Sequence, residues 1–245
     1  MASLQIRAHV LKRFGDEKTL ALAYAHNSRA MYPKNGLVNG IQLSKSWQNL
    51  ELISLIGDNY EQASANAMLS KGINPLSKEI QARHRGWAIE LVITVTSGHK
   101  CVYDSLFAEA VEGLIKSHPE SVVIHAIVHY DQGQPHCHLI MVPILDGRLQ
   151  ADKVRGYVNE TTRRNQVVFE SLKGAYGLEP PSYLCGALKE KAAKLVIEAL
   201  YATRSESVVE LVGEQIEKAI AARPEPFLKP LGITYADILR GLDHR

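Results

Sequence analysis

The sequence predicts an α+β fold, an antiparallel sheet flanked by helices, and three observations support this prediction. Apolar and polar residues alternate from Ser3 to Val10, which is typical of a half-buried strand. A β-branched run over residues 87–98 comes before a helix-prone segment over 103–120. Two further apolar runs, Val122–Val128 and Leu139–Leu145, are joined by a short polar turn and so predict a hairpin. Strands and helices do not alternate regularly, as a parallel sheet would require.

The remaining elements follow from local signals. Helical spacing and end signals predict four helices before residue 180, in the segments 16–36 (as far as Pro33), 59–72, 103–120 and 159–177. Asp104 or Ser105 is the expected N-cap of the third helix. The double proline at 180 and 181 indicates a boundary between a domain of residues 1–181 and a short helical C-terminal region of residues 182–245. That region predicts two amphipathic helices, the second capped by Ser205, and a short last helix.

Composition narrows the class of protein only slightly. The chain of 245 residues is 46% hydrophobic and 22% charged, which is ordinary for a globular protein with a buried core. A net charge of +2 neither demands nor excludes a nucleic-acid partner. Three widely spaced cysteines make a disulfide framework unexpected and indicate a reducing cytoplasm. The opening residues contain no continuous apolar run, so we expect neither a signal peptide nor a membrane span.

Three histidines surround the turn of the predicted hairpin. Side chains alternate across a strand, so His136 and His138 project from the same face, and His129 at the end of the first strand can meet them. Three converging imidazoles can hold a metal ion and leave other coordination positions open, as a catalytic ion needs. The alternative is a polar hairpin face without a metal. Cys137 should point to the opposite face, as a small buried hydrophobe and not a fourth ligand.

A second constellation lies in the first predicted helix. His26 and Arg29 are three residues apart and would share one face of a helical turn, with Asn27 beside them. An imidazole with an adjacent arginine suits attack on a phosphodiester, because the arginine neutralises charge that develops on the phosphate while the imidazole acts as base or nucleophile. Taken alone, the same pattern could be a solvated helix face.

Three blocks in order give the sequence a resemblance to a known family. They are "HNSR" at 26–29, "NLEL" at 49–52 and "HYDQGQPHCH" at 129–138. Together with "VPILDGRLQADK" and "GAYGLEPP", they resemble the motifs of the MobV/Pre family of bacterial plasmid mobilisation relaxases, from near residue 1 to about residue 181. The resemblance implies an HUH-type sheet with the histidines on central strands, and an enzyme that nicks one DNA strand at an origin of transfer.

The resemblance also implies roles for single residues. The metal ligands would be His129, His136 and His138, and the ion Mn²⁺ or Mg²⁺. His26 matches the nucleophile, which would form a covalent 5′-phosphoramidate with the nicked strand, and Arg29 matches an arginine that engages phosphate. The second motif contributes Asn49 and Glu51, whose roles are less defined. The expected DNA contacts are Asn27, Asn49, Arg83, Arg85, Lys153 and Arg155, with Arg163 and Arg164 as further contacts to the backbone. Lys153, Arg155, Arg163 and Arg164 could each equally belong to a solvated face.

Two features leave alternatives open. The family hairpin reads H-x-D-E, whereas this chain has Gln132, which can accept a hydrogen bond but cannot take a proton. Asp131 or Glu51 could then assume that work. Most other enzymes of the superfamily use a tyrosine nucleophile, and Tyr24 lies two residues before His26. A spacing of two puts these side chains on different helix faces, which favours His26.

The expected function is therefore metal-dependent nicking and rejoining of single-stranded DNA. Alternatives are a rolling-circle replication initiator, a single-strand transposase, or a non-catalytic DNA-binding repressor that keeps the fold. The expected partners are single-stranded and hairpin DNA at an origin of transfer, relaxosome accessory or coupling proteins, and a second copy bound through the C-terminal helices.

Overall fold

The structure is a computed structural model, and its description covers most of the chain. The described residues are 3–15, 18–30, 37–38, 40–82, 85–95, 102–156, 158–178, 184, 186–203 and 206–240. They separate into two compact units, Met1–Glu179 and Pro180–Arg245.

The first unit contains every strand in the described part of the chain. The strands are β1 (Leu4–Lys12), β2 (Leu37–Val38), β3 (Ile41–Gln42), β4 (Leu50–Ile53), β5 (Gly86–Val95), β6 (Val122–His129), β7 (His136–Val142), β8 (Ile144–Leu145) and β9 (Arg148–Leu149). The helices of this unit are α1 (Leu20–Asn27), α2 (Tyr60–Ser70), α3 (Tyr103–Ser117), α4 (Ala151–Arg155) and α5 (Val158–Tyr176), with a 3-10 helix over Leu43–Gln48.

The main sheet has five strands in the order β1-β5-β7-β6-β4, and every neighbouring pair is antiparallel. The predicted α+β fold with an antiparallel sheet is therefore confirmed. The predicted hairpin forms β6 and β7, next to each other and inside the sheet. In its register His129 lies opposite His136, and His138 lies between Ile127 and Val92. Alternation then places the three histidines on one face of the sheet.

The two faces of the sheet bury different cores. One face, with Leu91, Cys137 and Leu139, packs against the apolar sides of α3 and α5. The other face carries Ile140 and packs against Tyr60 and the rest of the α1 and α2 core. His138 lies two residues before Ile140 in β7, so the histidines occupy the continuation of this second face. Cys137 is fully buried on the opposite face, as its position between His136 and His138 predicts.

Helix α1 ends where the candidate site begins. The Thr19 hydroxyl accepts a hydrogen bond from Leu22 N at 3.2 Å and caps the first turn. The helix ends at Asn27, because Arg29 has left-handed backbone geometry with φ of 61°. The sequence predicted a helix as far as Pro33, and this difference places His26 in the last turn of α1 and not in the middle of a longer helix.

Helix α3 begins at Tyr103, one residue earlier than Asp104, so the predicted N-cap is wrong. The Asp104 carboxylate instead accepts a hydrogen bond from the Tyr130 hydroxyl, which connects α3 to the segment after β6. Helix α2 ends as predicted, because Gly72 adopts φ of 73° and supplies the left-handed turn that terminates it.

The second unit is helical in its described part. It consists of α6 (Gly186–Thr203), α7 (Glu206–Ala222), α8 (Glu225–Leu228) and α9 (Tyr235–Arg240). Two small apolar clusters hold it together, one around Ala192 and Ile238 and the other around Val196 and Ile220. The predicted cap Ser205 lies outside the described residues. A search of the described helices finds none with the length and apolarity needed to cross a membrane.

Candidate metal centre

Four histidines come together on the sheet face that also carries Ile140. One nitrogen from each of His26, His129, His136 and His138 lies within 4.8 Å of the others. Ring centroids are 4.8 Å apart for His129 and His138, and 5.5 Å apart for His26 and His138. The structure thus brings together the three histidines of the hairpin, and it adds His26 from the end of α1.

Hydrogen bonds fix which nitrogen of each hairpin histidine faces the cluster. His138 Nδ1 lies 2.8 Å from Glu90 Oε1, so this nitrogen carries the proton and donates it to the carboxylate. His136 Nδ1 donates to the Gln134 carbonyl at 2.9 Å. In both rings Nε2 is then the nitrogen with a free lone pair, and His138 Nε2 is buried without a hydrogen-bond partner.

His129 completes the donor set in the opposite tautomer. Its Nε2 lies 3.4 Å from the Asn27 carbonyl, a long contact to the last residue of α1, and its Nδ1 is buried without a hydrogen-bond partner. A buried imidazole nitrogen without a partner is costly unless something binds it. The three free nitrogens therefore fit a metal ion. Nitrogen donors favour a transition-metal ion over Mg²⁺, whose preferred ligands are oxygen atoms.

Burial keeps these rings neutral. Burial, followed by the neighbouring His138 and the Arg29 guanidinium, lowers the pKa of His129 to about 2 and the pKa of His26 to about 4. Burial and His138 also lower the pKa of His136 to about 4. At neutral pH these imidazoles need not lose a proton before they bind a metal or act as nucleophiles.

Arg29 is clamped beside His26 by a buried carboxylate. Its Nε donates to Asp131 Oδ2 at 2.8 Å and its Nη2 to Asp131 Oδ1 at 2.5 Å, the two-point geometry that an arginine makes with a carboxylate. Its Nη1 donates to the His26 carbonyl at 2.9 Å and lies 3.5 Å from His26 Nε2. The guanidinium is therefore held against the His26 ring.

Asp131 collects further donors from the chain that follows α1. Its Oδ2 accepts from the Ser46 hydroxyl at 2.6 Å and from Asn49 Nδ2 at 3.1 Å. Burial opposes its charge, but the hydrogen bonds from Arg29, Ser46 and Asn49 hold its pKa well below the usual range. Asp131 is thus an ionised anchor for these donors.

Two asparagines predicted as DNA contacts are engaged within the protein. Asn27 is 1% exposed, and its amide donates to the Tyr60 hydroxyl at 2.9 Å. Asn49 Oδ1 accepts from Tyr130 N at 2.8 Å while its amide binds Asp131. Asn27 has no surface that DNA can reach. Both ends of the Asn49 amide are already hydrogen-bonded within the protein, to Tyr130 and to Asp131.

Glu51 binds a histidine outside the cluster of four. Its carboxylate lies 2.9 Å from His125 Nε2, and His125 Nδ1 lies 2.6 Å from the Tyr60 hydroxyl. Because Asn27 donates to that hydroxyl, Tyr60 donates to His125, and His125 donates in turn to Glu51. This chain of hydrogen bonds ties β4, β6 and α2 to the end of α1.

The remaining predicted residues lie around the centre. Gln132 is half-buried in the turn, and its side chain makes no hydrogen bond to any residue that the structure describes. Tyr24 is half-buried, with its ring 5.5 Å from that of Tyr60. Arg85 donates to the Leu149 carbonyl at 2.6 Å and pairs with Glu79. Arg83 lies outside the described residues.

The basic residues after β9 differ in exposure. Lys153 is exposed, and Arg155 pairs with Asp152 at 3.4 Å. Arg164 is only 6% exposed and donates to the carbonyls of Val154 and Arg155. The prediction of a DNA contact by Arg164 is therefore wrong, because its guanidinium is used inside the domain. The side chain of Arg163 lies outside the described part.

The sequence patterns did not identify Glu90 and Ser46, which position site residues. They also did not identify the hydrogen-bonded pair of His125 and Tyr60. Glu90 had a detectable signal, since it is the one charged residue within the apolar run Trp87–Val95. His125 shared its strand face with His129 and could also have been found. Ser46 had no signal, because its contact with Asp131 depends on how distant segments pack.

Comparison with known proteins places the chain in a family. The sequence model of the family described as plasmid recombination enzyme (Mob_Pre) matches residues 11–176, more than half of the chain. The protein belongs to the plasmid recombination enzyme family. The matched span of this plasmid recombination enzyme includes all four clustered histidines and the clamp of Arg29 and Asp131.

Solved structures share the fold of this plasmid recombination enzyme. One is the MobM relaxase domain bound to plasmid pMV158 oriT DNA with Mn at pH 5.5, with 22% identity, a TM-score of 0.56, and coverage of 72% of this chain and 88% of that one. Another holds the same domain with DNA carrying a 3′ thiophosphate, at 22% identity, a TM-score of 0.55, and coverage of 71% and 88%. No curated protein matches the chain significantly.

Proposed function

We propose that this protein is a relaxase that nicks and rejoins one DNA strand at a plasmid origin of transfer. The observation that carries the proposal is the meeting of a neutral His26 with three imidazoles whose free nitrogens converge, and with a clamped arginine. Membership of the plasmid recombination enzyme family supports it. The related MobM domain is bound to oriT DNA in the solved structures, which supports the same class of substrate here.

His129, His136 and His138 are the proposed metal ligands, and Mn²⁺ is the proposed ion because the related structures contain Mn. These three imidazoles would hold the ion, and when bound it would supply Lewis-acid chemistry toward a phosphoryl oxygen. Neighbouring residues orient the ligands before the ion binds. Glu90 and the Gln134 carbonyl fix two ligand tautomers, so that little reorganisation is needed when the ion binds.

His26 is the proposed nucleophile. One of its ring nitrogens forms a bond to phosphorus while the bond between phosphorus and the 3′ oxygen breaks. The imidazole releases its N–H proton, and the departing 3′ oxygen takes up a proton and leaves as a hydroxyl group. The 5′ end of the strand remains linked to the protein as a phosphoramidate. Attack of a 3′ hydroxyl on that link reverses the step, so joining accompanies nicking.

Arg29 is proposed to stabilise the negative charge that grows on the phosphate oxygens during this step. Its bidentate bond to Asp131 leaves Nη1 next to His26, so the positive charge is in place before DNA arrives. Gln132 and Glu51 complete the proposed site. We propose that Glu51 positions the end of α1 through its bond to His125, and its contact with His125 supports this role.

The wider arrangement is also part of the proposal. Residues 1–181 would form the catalytic domain and residues 182–245 a helical extension for a second copy or for accessory and coupling proteins. Arg83, Arg85, Lys153 and Arg155 would grip single-stranded or hairpin DNA through its phosphates. The protein would act in the bacterial cytoplasm, where plasmid DNA is found.

The test is to incubate the protein with Mn²⁺ and a panel of origin-type single strands, and to measure its mass under denaturing conditions. We expect an adduct that maps to His26. The variant His26→Ala should form no adduct and keep its affinity for DNA within a few-fold, whereas Tyr24→Phe should react like the parent. An adduct that persists in His26→Ala would overturn the assignment of the nucleophile. Binding of every strand without any adduct would favour a DNA-binding module.

A further inference from the structure

The two tryptophans of the chain have opposite environments. Trp87 is 2% exposed, and its indole N–H donates to the Ile80 carbonyl at 2.9 Å. Trp47 is 80% exposed, the highest value among the large hydrophobic side chains that the structure describes. Tryptophan is highly buried on average, because its large ring gains most from leaving water. The exposed indole of Trp47 is therefore a candidate for contact with a binding partner.

The segment that carries Trp47 is fixed at both ends. Gln42 N, just before the 3-10 helix, donates to the Asp131 carbonyl at 2.7 Å. Asn49, just after it, binds Asp131 and Tyr130. Ser46, within it, donates its hydroxyl to Asp131 at 2.6 Å. The backbone around Trp47 is thus fixed by hydrogen bonds on both sides, and the side chain is exposed on an ordered segment.

This segment also lies beside the metal centre. The Asp131 Oδ2 atom that accepts from Ser46 is the same atom that accepts from Arg29 Nε. Ser46 and Trp47 are adjacent, with α-carbon atoms about 3.8 Å apart across a trans peptide. The exposed Lys45 is on the other side of Ser46. An aromatic ring and a cation therefore flank the residue that contacts the clamp of the proposed nucleophile.

We propose that Trp47 is a stacking platform for an unpaired nucleobase of the DNA strand next to the scissile phosphate, and that Lys45 binds a neighbouring phosphate. Sites for single strands combine aromatic rings on which bases stack with cations that follow the backbone. A base held on Trp47 fixes how far the strand extends into the site, and so selects which phosphate reaches His26. This inference rests on the proposed relaxase function and adds a substrate contact that positions the strand.

The indole itself reports on the contact. Trp47 is exposed and Trp87 is buried, so quenching of tryptophan fluorescence by a bound strand comes mainly from Trp47. The probes are a short single strand of thymidines and a strand of equal length whose sugars carry no bases. We expect the thymidine strand to quench the emission and the abasic strand to leave it nearly unchanged, because only the first can stack. Equal quenching by both strands would overturn the platform.

Affinity gives the second measurement. Trp47→Ala should weaken binding of the thymidine strand about tenfold or more, and Trp47→Phe should retain most of the affinity because a phenyl ring still stacks. Leu76→Ala is the matched control, since Leu76 is 78% exposed in another part of the domain, and it should bind as the parent does. Circular dichroism and Mn²⁺ binding show whether each variant is folded. Unchanged affinity in folded Trp47→Ala would refute the inference.

Failure of this inference can be told apart from failure of the proposed function. If the parent forms the His26 adduct while Trp47→Ala binds and reacts equally well, the platform is wrong and the relaxase stands. If Trp47→Ala loses affinity for the thymidine strand while the parent forms no adduct with any strand, Trp47 is a DNA contact and the enzymatic proposal is wrong.

Discussion

Asp131 is the residue on which most of the site's geometry depends. It holds Arg29 by two hydrogen bonds, accepts from Ser46 and Asn49, and is fully buried as a side chain. All three donors lie more than eighty residues before Asp131 in the sequence. An ionised carboxylate with this many donors fixes Arg29, Ser46 and Asn49 relative to one another, which is what a preorganised site requires.

The substitution Asp131→Asn tests that role. The new amide group would face the donors of Arg29, Ser46 and Asn49, so at least one of them would lose its acceptor. We expect single-turnover nicking to slow by about 10²-fold, the scale of a misplaced reacting group, with DNA affinity nearly unchanged. Glu61→Gln is the control, because it breaks a comparable bond to Arg13 on the surface. An unaffected nicking rate would show that Asp131 does not position Arg29.

Gln132→Glu tests whether a carboxylate is tolerated in place of the amide in the turn between β6 and β7. A glutamate at this half-buried position could take up a proton, which glutamine cannot do. We expect the nicking rate to be maintained or raised. Gln134→Glu adds the same charge to the same turn and controls for a general electrostatic effect. A large loss confined to Gln132→Glu would mean that the site is built around the amide.

At the scale of residues, the sequence predicts the histidines of the hairpin well, but it does not predict the residues that position the site. His129, His136 and His138 follow from alternation in two strands that the apolar pattern identifies. Ser46 acts through tertiary packing between segments more than eighty residues apart, about which no local pattern carries information.

At the scale of elements, the β6 and β7 hairpin was the best predicted part of the fold. Its strands are apolar on both faces except for the histidines, because both faces are covered by helices along most of their length. The end of α1 was predicted less well. Its helical pattern continues past Asn27, and nothing local indicates that Arg29, which is not a glycine, adopts φ of 61°.

Replacing two glycines by alanine should have opposite effects on the stability of the protein. A Cβ at Gly86, the first residue of β5, would overlap with Val10 Cγ1 and would lie 2.6 Å from Ala151 Cβ. Gly86→Ala should therefore lower the free energy of unfolding by about 1–3 kcal/mol through overpacking. Gly113→Ala, inside α3 with its nearest neighbour at 3.8 Å, should raise it by about 0.5–1 kcal/mol. Urea titration measures both, and equal effects would contradict the packing at Gly86.

At the scale of the whole molecule, buried histidines make stability depend on pH. Burial lowers the pKa of His118 and of His125 below the ordinary value of 6.5. Below about pH 6.5 the unfolded chain therefore binds more protons than the folded chain, and stability falls as the pH decreases. We expect the urea midpoint of the metal-free protein to be lower at about pH 5.5 than at about pH 7.5. His118→Gln should reduce this difference, and a midpoint that does not change with pH would contradict the prediction.

The overall topology was the least accessible to prediction. The sequence indicated strands and their antiparallel class, but not that β5 lies between β1 and β7 or that β4 pairs with β6 at the edge. These pairings join segments separated by whole helices, and local patterns are compatible with several orders of strands.

The order of the strands also governs when the centre comes into existence during synthesis. Helix α1, with the proposed nucleophile, is made early, but the strand that supplies His136 and His138 is the last of the five to leave the ribosome. Domains generally fold as units as the chain emerges. A nascent chain therefore has no assembled centre until most of the first unit has been translated, and it cannot cut nucleic acids near the ribosome while it is incomplete.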